Sequence, residues 1–161
     1  MVIVLIGVTG AGKTCVGMAL AEKLGWVFLD ADDLHGDANL NKLHAGIPLA
    51  DADRWPWLDR VRTIIAAYLA RQQNVIIACS ALKHTYRRHL RVSPEVALVY
   101  LNASEGVLEE RLKRRRGHFM NPSLLKSQLE TFEAPQDDIL AVDASRSSAE
   151  IVHLIRATLH V

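Results

Sequence analysis

The feature that most constrains this chain is the stretch at residues 7–14, which reads Gly-Val-Thr-Gly-Ala-Gly-Lys-Thr. An unbroken apolar run at residues 2–6 precedes it and predicts a strand buried on both faces. Residues 15–24 follow, with apolar side chains at close to helical spacing, and predict a helix. A strand, a glycine-rich loop and a helix are the context in which the pattern G-x-x-x-x-G-K-S/T forms a phosphate-binding loop.

This loop predicts nucleotide binding through its backbone. The glycines allow successive N–H groups to point inward at phosphate oxygens, and the positive N-terminus of the following helix reinforces them. Lys13 should reach the β- and γ-phosphates of ATP, and the Thr14 hydroxyl should ligate Mg²⁺. The alternative is a chance match on an ordinary strand-to-helix turn, which the flanking elements disfavour. The predicted nucleotide-binding residues are Gly7, Thr9, Gly10, Ala11, Gly12, Lys13, Thr14 and Cys15.

The composition excludes several classes of function. The 161 residues predict a single domain spanning 1–161, and half of them are hydrophobic, which excludes a disordered chain. A net charge of +1 gives no reason to expect a nucleic-acid partner. No apolar run approaches the roughly 18 residues of a membrane span, so we expect no membrane partner. Cys15 and Cys79 lie in apolar contexts and no signal peptide precedes the first strand, which favours a reducing, cytoplasmic compartment.

Strand and helix patterns alternate along the whole chain. After the first strand, apolar runs at residues 26–29, 74–80, 96–101 and 139–142 predict four more strands, with helical patterns between them. Some of these runs are apolar throughout, which is typical of central strands in a parallel sheet. The pattern predicts an α/β fold, a three-layer α/β/α sandwich around a five-stranded parallel sheet with right-handed crossovers.

Three carboxylates follow the second predicted strand, at Asp30, Asp32 and Asp33. The carboxyl ends of strands form the edge at which open α/β sheets bind ligands. Asp30 and Asp32 are two residues apart and would share a face of a continuing strand. One could hold Mg²⁺ through water while the other accepts a proton from a substrate hydroxyl. The alternative is a helix cap and a solvated turn.

Cationic side chains near the other strand ends indicate an anionic substrate. Arg54 lies between an acid and an indole in the sequence and is a candidate anion clamp. Lys83 and Arg87 follow the third strand and lie four apart, on one face of a predicted helix. The alternative for this pair is a solvated basic helix. The helix after Arg54 is predicted to be capped by Asp53, with Pro56 in its first turn.

A cluster of five cations within residues 111–116 ends at Gly117, and a second helix is predicted over residues 123–133. Cations at a helix C-terminus are favourable through the helix dipole alone, which accounts for part of the cluster. The density of charge, followed by a glycine, favours a mobile lid over residues 114–133 that closes arginines over a triphosphate and excludes water.

Taken together, these motifs resemble those of the gluconokinases, small phosphate-loop kinases related to shikimate kinase. The resemblance covers essentially the whole chain. Its more specific segments are Asp-Arg-x-Pro-Trp-Leu at residues 53–58, Cys-Ser-Ala-Leu-Lys at residues 79–83 and Gly-His-Phe at residues 117–119. Gly36 stands where that family usually has proline, and Leu43 where it often has methionine.

The resemblance implies a shikimate-kinase-like fold with a helical lid, and transfer of the γ-phosphoryl group of ATP to the 6-hydroxyl of D-gluconate. It implies that residues 32–58 form the substrate-binding segment and that related proteins are dimers. By position, Asp32 would act as base or orienter, with Asp30 near the water shell of the metal. Arg54, Lys83 and Arg87 would meet the sugar acid, His35 and His118 would line its pocket, Arg111 would lie along the adenine, and Arg115 would enter from the lid.

Other functions remain open on the sequence alone. A kinase for shikimate or another small polyol acid would share every general motif. A nucleoside-monophosphate kinase would share the phosphate loop, but the substrate segment resembles that class poorly. A different class is a nucleotide-switched binding module without turnover, which the paired aspartates and the cationic lid argue against.

Overall fold

A computed structural model of the chain describes residues 1–114, 124–135 and 139–161. The elements follow the predicted alternation of strands and helices, with a short 3₁₀ turn at Ala31–Leu34 after the second strand. In chain order they are β1 (Val2–Ile6), α1 (Lys13–Leu24), β2 (Val27–Asp30), α2 (Asp37–His44), α3 (Asp51–Ala70), β3 (Val75–Ala78), α4 (His84–Leu90), β4 (Val96–Asn102), α5 (Glu105–Arg114), α6 (Leu124–Thr131), β5 (Leu140–Asp143) and α7 (Ser148–Leu159).

The five strands form one parallel sheet in the order β2-β3-β1-β4-β5. β1 lies at the centre, where Val2 is in register with Val75 of β3 on one side and Val96 of β4 on the other. The predicted α/β class and five-stranded parallel sheet are confirmed. Because all strands run the same way, their carboxyl ends and the loops that follow them lie along one edge of the sheet.

Helices cover both faces of the sheet and complete the predicted three layers. Along β1, Ile3 and Leu5 pack into a core with apolar residues of α1, α5, α6 and α7. The alternating residues Val2, Val4 and Ile6 pack into a second core with α3 and α4. All five side chains are fully buried, as expected for a central parallel strand between two helical layers.

The start of α3 differs from the expectation. The helix begins at Asp51, so Asp53 is its third residue rather than its N-cap. Asp53 still satisfies the helix terminus, because its carboxylate accepts from the backbone N–H of Ala50 at 2.9 Å. Pro56 is the sixth residue of the helix and lies beyond its first turn, where its missing N–H removes one hydrogen bond of the helix. Asp53 is therefore not the N-cap and Pro56 is not in the first turn, so both predictions for this terminus are wrong.

The predicted lid is described only in part. Its second half contains α6, which spans Leu124–Thr131. Arg115 and His118 lie outside the described residues, so their assigned roles stay predictions. Within the described ranges, no helix is both long and apolar enough to cross a membrane.

Helix α1 lies unusually close to the edge strand β2. Gly17 is buried in the middle of α1, and a Cβ built on it would lie 2.4 Å from Cε2 of Phe28 on β2 and 3.3 Å from Cδ1 of Leu5. Any side chain at position 17 would therefore push the Phe28 ring aside. The absence of a side chain here sets how closely the helix behind the phosphate loop packs on β2.

Gly17→Ala should destabilise the protein by about 1–3 kcal/mol, because overpacking outweighs the better helix propensity of alanine. Gly106→Ala is the matched control on α5, where an added Cβ meets nothing within 4 Å. It should be neutral or stabilising by up to about 1 kcal/mol. Urea unfolding measures both changes. Equal midpoints for the two variants would show that Phe28 moves away at no cost.

Candidate functional site

The phosphate loop between β1 and α1 adopts a conformation that favours glycine at three positions, Gly7, Gly10 and Gly12. Gly7 has φ +146°, and a Cβ there would lie 3.0 Å from the carbonyl oxygen of Leu101 on the neighbouring strand. Gly12 has φ +97° and is the N-cap of α1, directly before its first residue. Other residues would be strained at these positions. The loop therefore curls tightly at the positive end of the helix, as an anion-binding loop does.

Lys13, Thr14 and Asp30 converge at this loop. The Lys13 ammonium donates to the carbonyl oxygens of Gly7 and Val8 at 2.9 and 3.0 Å, so it lies across the loop. The Thr14 hydroxyl donates to Oδ2 of Asp30 at 2.8 Å. These side chains and Asp32 line one small cavity with Thr9, Gly10 and Gly12. The structure thus brings together the two groups of residues that the sequence separates by sixteen positions.

Asp30, the last residue of β2, and Asp32, in the turn that follows, have different environments. The Asp30 carboxylate accepts two hydrogen bonds. Its Oδ2 accepts from the Thr14 hydroxyl, and its Oδ1 accepts from the backbone N–H of Asp32 at 3.1 Å. Among the described residues, the Asp32 carboxylate has no hydrogen-bond donor within reach. Burial raises the pKa of Asp32 to about 6, against the opposing effect of Lys13 and with a further increase from Asp30. Asp32 is therefore a stronger proton acceptor than an ordinary, solvated carboxylate.

A second cavity of about 310 Å³ adjoins the loop on the side of α7. Arg111 crosses it, donating to the carbonyl oxygens of Ala11 in the loop and Ala144 after β5. Cys15 is exposed on this wall, with its sulfur 3.4 Å from the Ser148 hydroxyl. The cavity has the size and position expected for the base and sugar of a nucleotide whose phosphates occupy the loop.

Arg54 lies on the acceptor side of the site and is almost fully buried, with 6% of its surface exposed. Its Nε donates to the carbonyl oxygen of Leu49 at 3.2 Å. Within the described part of the chain, its terminal nitrogens have no hydrogen-bond partner. Of the charges that act on Asp32, Arg54 has the smallest effect, and it lowers the pKa of that carboxyl. A buried guanidinium with unused donors is suited to bind an anionic group of a ligand.

His35 lines the same region, and its side chain is 4% exposed. Its ring stacks on Trp57 at 4.4 Å between centroids, and Nε2 lies 4.0 Å from Oδ1 of Asp32. Burial, with the nearby charges of Arg54 and Arg60, lowers the pKa of His35 to about 4. The imidazole is therefore uncharged at neutral pH.

Lys83 and Arg87 do not lie together on one face of a helix, contrary to the expectation. Lys83 precedes α4 and its ammonium is 2.8 Å from the carboxylate of Asp51. Arg87 is 2% exposed and donates to the carbonyl oxygens of Ala81, Leu82 and Glu133. In this conformation Arg87 connects α4 to the end of the predicted lid helix. Their assignment to the substrate stays a prediction, and any role there needs a rearrangement of these contacts.

Two buried amides near the site were not assigned a role from the sequence. Gln128 on α6 accepts from the backbone N–H of Thr9 in the phosphate loop at 2.7 Å. Asn39 on α2 contacts His35 at 3.3 Å. Each is an isolated amide on a helix, and the only signal in the sequence is a polar residue at a position that the apolar pattern predicts to be buried.

Gln128→Leu should weaken ATP binding, because the buried N–H of Thr9 loses its acceptor and the loop must shift to satisfy it. The cost of an unsatisfied buried group predicts a loss of about 5- to 100-fold in affinity. Gln128→Glu retains an acceptor oxygen and should keep most of the affinity. Calorimetric titration with a non-hydrolysable ATP analogue measures both. An unchanged Kd in Gln128→Leu would remove Gln128 from the nucleotide site.

Comparisons with known proteins agree with this geometry. Residues 2–135 match the family model described as an AAA domain. The chain is 45% identical over 137 residues to a gluconokinase of Gluconobacter oxydans, covering 84% of this chain and 77% of that protein. It is 40% identical over 157 residues to the thermosensitive gluconokinase of Escherichia coli, covering 95% of this chain and 84% of that protein.

Solved structures give the same result. A gluconokinase from Sinorhizobium meliloti superposes with a TM-score of 0.86 at 45% identity, covering 98% of this chain and 90% of that one. A shikimate kinase from Bacteroides thetaiotaomicron, 19% identical with a TM-score of 0.70, shares the fold. The phosphate loop, the paired aspartates and the overall similarity lead to one conclusion: the chain belongs to the gluconokinase family of phosphate-loop kinases.

Proposed function

We propose that this chain transfers the γ-phosphoryl group of ATP to the 6-hydroxyl of D-gluconate, giving 6-phospho-D-gluconate and ADP. Its similarity to curated gluconokinases supports the reaction. The observation that supports an acidic acceptor is the environment of Arg54. This buried cation has unused hydrogen-bond donors and acts on Asp32, whose pKa is raised. A cation and a proton acceptor on the same side of the site are what a sugar acid with a carboxylate and a reacting hydroxyl requires.

The chain binds the donor through the phosphate loop. Backbone N–H groups of the loop that are not engaged elsewhere would surround the phosphates, and Lys13 would exchange its two carbonyl contacts for the β- and γ-phosphate oxygens. Arg111 and the cavity beside Ala144 would take the base and sugar. In phosphoryl transfer, positioning and neutralisation of charge supply most of the rate enhancement.

Thr14 and Asp30 would hold the Mg²⁺ that accompanies ATP. Their hydroxyl and carboxylate oxygens lie 2.8 Å apart beside the loop, and oxygen donors are the ligands that Mg²⁺ prefers. Among the described residues, no cluster of three or more His, Cys, Asp or Glu side chains forms a separate metal cage. This fits an ion held by one or two protein oxygens, water and phosphates. When bound, the ion neutralises charge on the transferring phosphoryl group.

Asp32 would accept the proton of the attacking hydroxyl, or orient that hydroxyl toward the γ-phosphorus. The fully hydrogen-bonded Asp30 is less suited to the task, because its oxygens already accept from Thr14 and from the backbone. A carboxylate with a raised pKa is a stronger proton acceptor. Arg115 and His118 are proposed to complete the closed site from the lid.

The reaction is tested by measuring ADP release with ATP and Mg²⁺, in the presence and absence of D-gluconate, with shikimate in parallel. Strong stimulation by gluconate alone would establish the acceptor. Stimulation by shikimate or another polyol acid instead would show that the chain is a kinase for that acid. ATP binding without stimulation by any sugar acid would favour a nucleotide-switched binding module.

Arg54→Lys should raise the KM for gluconate by about 10- to 100-fold, because a single ammonium replaces a guanidinium that can form two charge-assisted bonds. The KM for ATP should change little. Arg71→Lys is the matched control, since Arg71 is exposed at the far end of the same helix. Steady-state kinetics against each substrate measures the effect. A gluconate KM equal to that of the control would exclude Arg54 from substrate binding.

Activity should rise with pH through about 6 and then level off. The carboxylate form of Asp32 must be present to accept a proton, and burial raises its pKa from 3.8 to about 6, so protonation removes the acceptor below that value. The rate is measured with both substrates well below their KM, so that the profile reports the free enzyme. An acidic limb near 4 instead would indicate an ordinary, solvated carboxylate.

We also infer a cytoplasmic location and a homodimer. The two cysteines are free thiols, one exposed and one buried, which supports a reducing compartment. The dimer rests on the family resemblance. Sedimentation velocity of the purified chain tests it.

A further inference from the structure

Asn39 on α2 is a buried amide beside the acceptor side of the site, with 8% of its surface exposed. Its Nδ2 donates to the backbone carbonyl oxygen of Asp53 at 2.8 Å and lies 3.3 Å from Nδ1 of His35. Because a carbonyl oxygen can only accept, the contact with Asp53 determines which end of the amide is the NH₂ group. The same NH₂ group therefore faces Nδ1 of His35 with its second proton.

This contact determines the tautomer of His35. A neutral imidazole has one N–H and one nitrogen with a lone pair. Nδ1 must use its lone pair to accept from Asn39, so the ring proton lies on Nε2. The lowered pKa of His35, which follows from its burial, keeps the ring uncharged and leaves a single N–H to assign.

The ring is also fixed in position. It stacks on Trp57 with an angle of 18° between planes, and Trp57 is itself held by a hydrogen bond from Nε1 to the carbonyl oxygen of Ala31 at 2.6 Å. Nε2 lies 4.0 Å from Oδ1 of Asp32, which is too long for a direct hydrogen bond. An oxygen lying beside that gap can be within hydrogen-bond distance of both atoms.

We propose that Asn39 is a positioning residue, which holds His35 in the Nε2–H tautomer so that the imidazole donates to a substrate hydroxyl shared with Asp32. The hydroxyl accepts from Nε2–H and directs its own proton at the Asp32 carboxylate. Only a group that both donates and accepts satisfies the two contacts, so the arrangement selects a hydroxyl over an ether or a deoxy carbon. This inference rests on the proposed function, since the hydroxyl belongs to its sugar acid.

The tautomer is tested directly by ¹⁵N chemical shifts of the imidazole nitrogens in the full chain labelled with ¹⁵N-histidine. The signals of His35 are those that disappear in His35→Gln. In the wild-type protein at pH 7, Nε2 should show an attached proton and Nδ1 should show the shift of an unprotonated, hydrogen-bonded nitrogen. In Asn39→Asp, a carboxylate that can only accept replaces the NH₂ group, so the proton should move to Nδ1.

The kinetic effect should follow the tautomer. Asn39→Asp should lower kcat/KM for gluconate by about tenfold or more, because the hydroxyl loses its donor and meets a lone pair instead. The KM for ATP should stay within about twofold. Asn74→Asp is the matched control, since Asn74 is exposed directly before β3, at the amino ends of the strands and away from the site. It should leave both the His35 spectrum and the kinetics unchanged.

A wild-type Nδ1–H tautomer would overturn the proposal, as would a tautomer change in Asn39→Asp that leaves the gluconate kinetics intact. If Asn39→Asp fails to fold, Asn39→Ala removes the amide without adding a charge, and should give a mixture of the two tautomers. A wild-type protein that gluconate does not stimulate would overturn the proposed function and the shared hydroxyl with it. The spectrum decides the tautomer separately, so the two failures are distinguishable.

Discussion

The hydrogen bond from Thr14 to Asp30 joins the two loops on which the site depends. These loops follow β1 and β2, which are not neighbours, because β3 lies between them in the sheet. Parallel pairing brings both loops to the same edge, and the close packing of α1 on Phe28 keeps the start of that helix near the end of β2. The nucleotide side and the acceptor side of the site therefore meet across the end of β3.

The same edge gives two nearby carboxylates different properties. Asp30 accepts two hydrogen bonds and is held beside the loop, whereas Asp32 is half-buried, with a raised pKa, next to an uncharged imidazole. A charged histidine at that position would stabilise the carboxylate and weaken it as a proton acceptor. Burial of His35 against Trp57 avoids this, so the packing of an aromatic pair contributes to the basicity of Asp32.

Most of the fold could be predicted from the sequence, because hydrophobic periodicity and the polar residues at strand ends are local signals. Strand β1 and the loop after it were predictable residue by residue, and the positions of Asp30 and Asp32 followed from the strand before them. The contacts of Gln128 and Asn39 were not predictable, since each depends on a helix packing against a loop distant in the chain. For the same reason the helical spacing of Lys83 and Arg87 did not reveal that Arg87 is engaged by three carbonyl oxygens.

Strand β2 has a further consequence, because it ends at Asp30 and leads directly into the turn that holds Asp32, yet it lies at the edge of the sheet. It is four residues long and partly exposed, and among the described strands it pairs only with β3, whereas β1 is fully buried. Edge elements with few buried contacts open locally at a lower free energy than the core. The end of β2, with Asp30, should therefore open at a lower free energy than β1 and the phosphate loop that follows it.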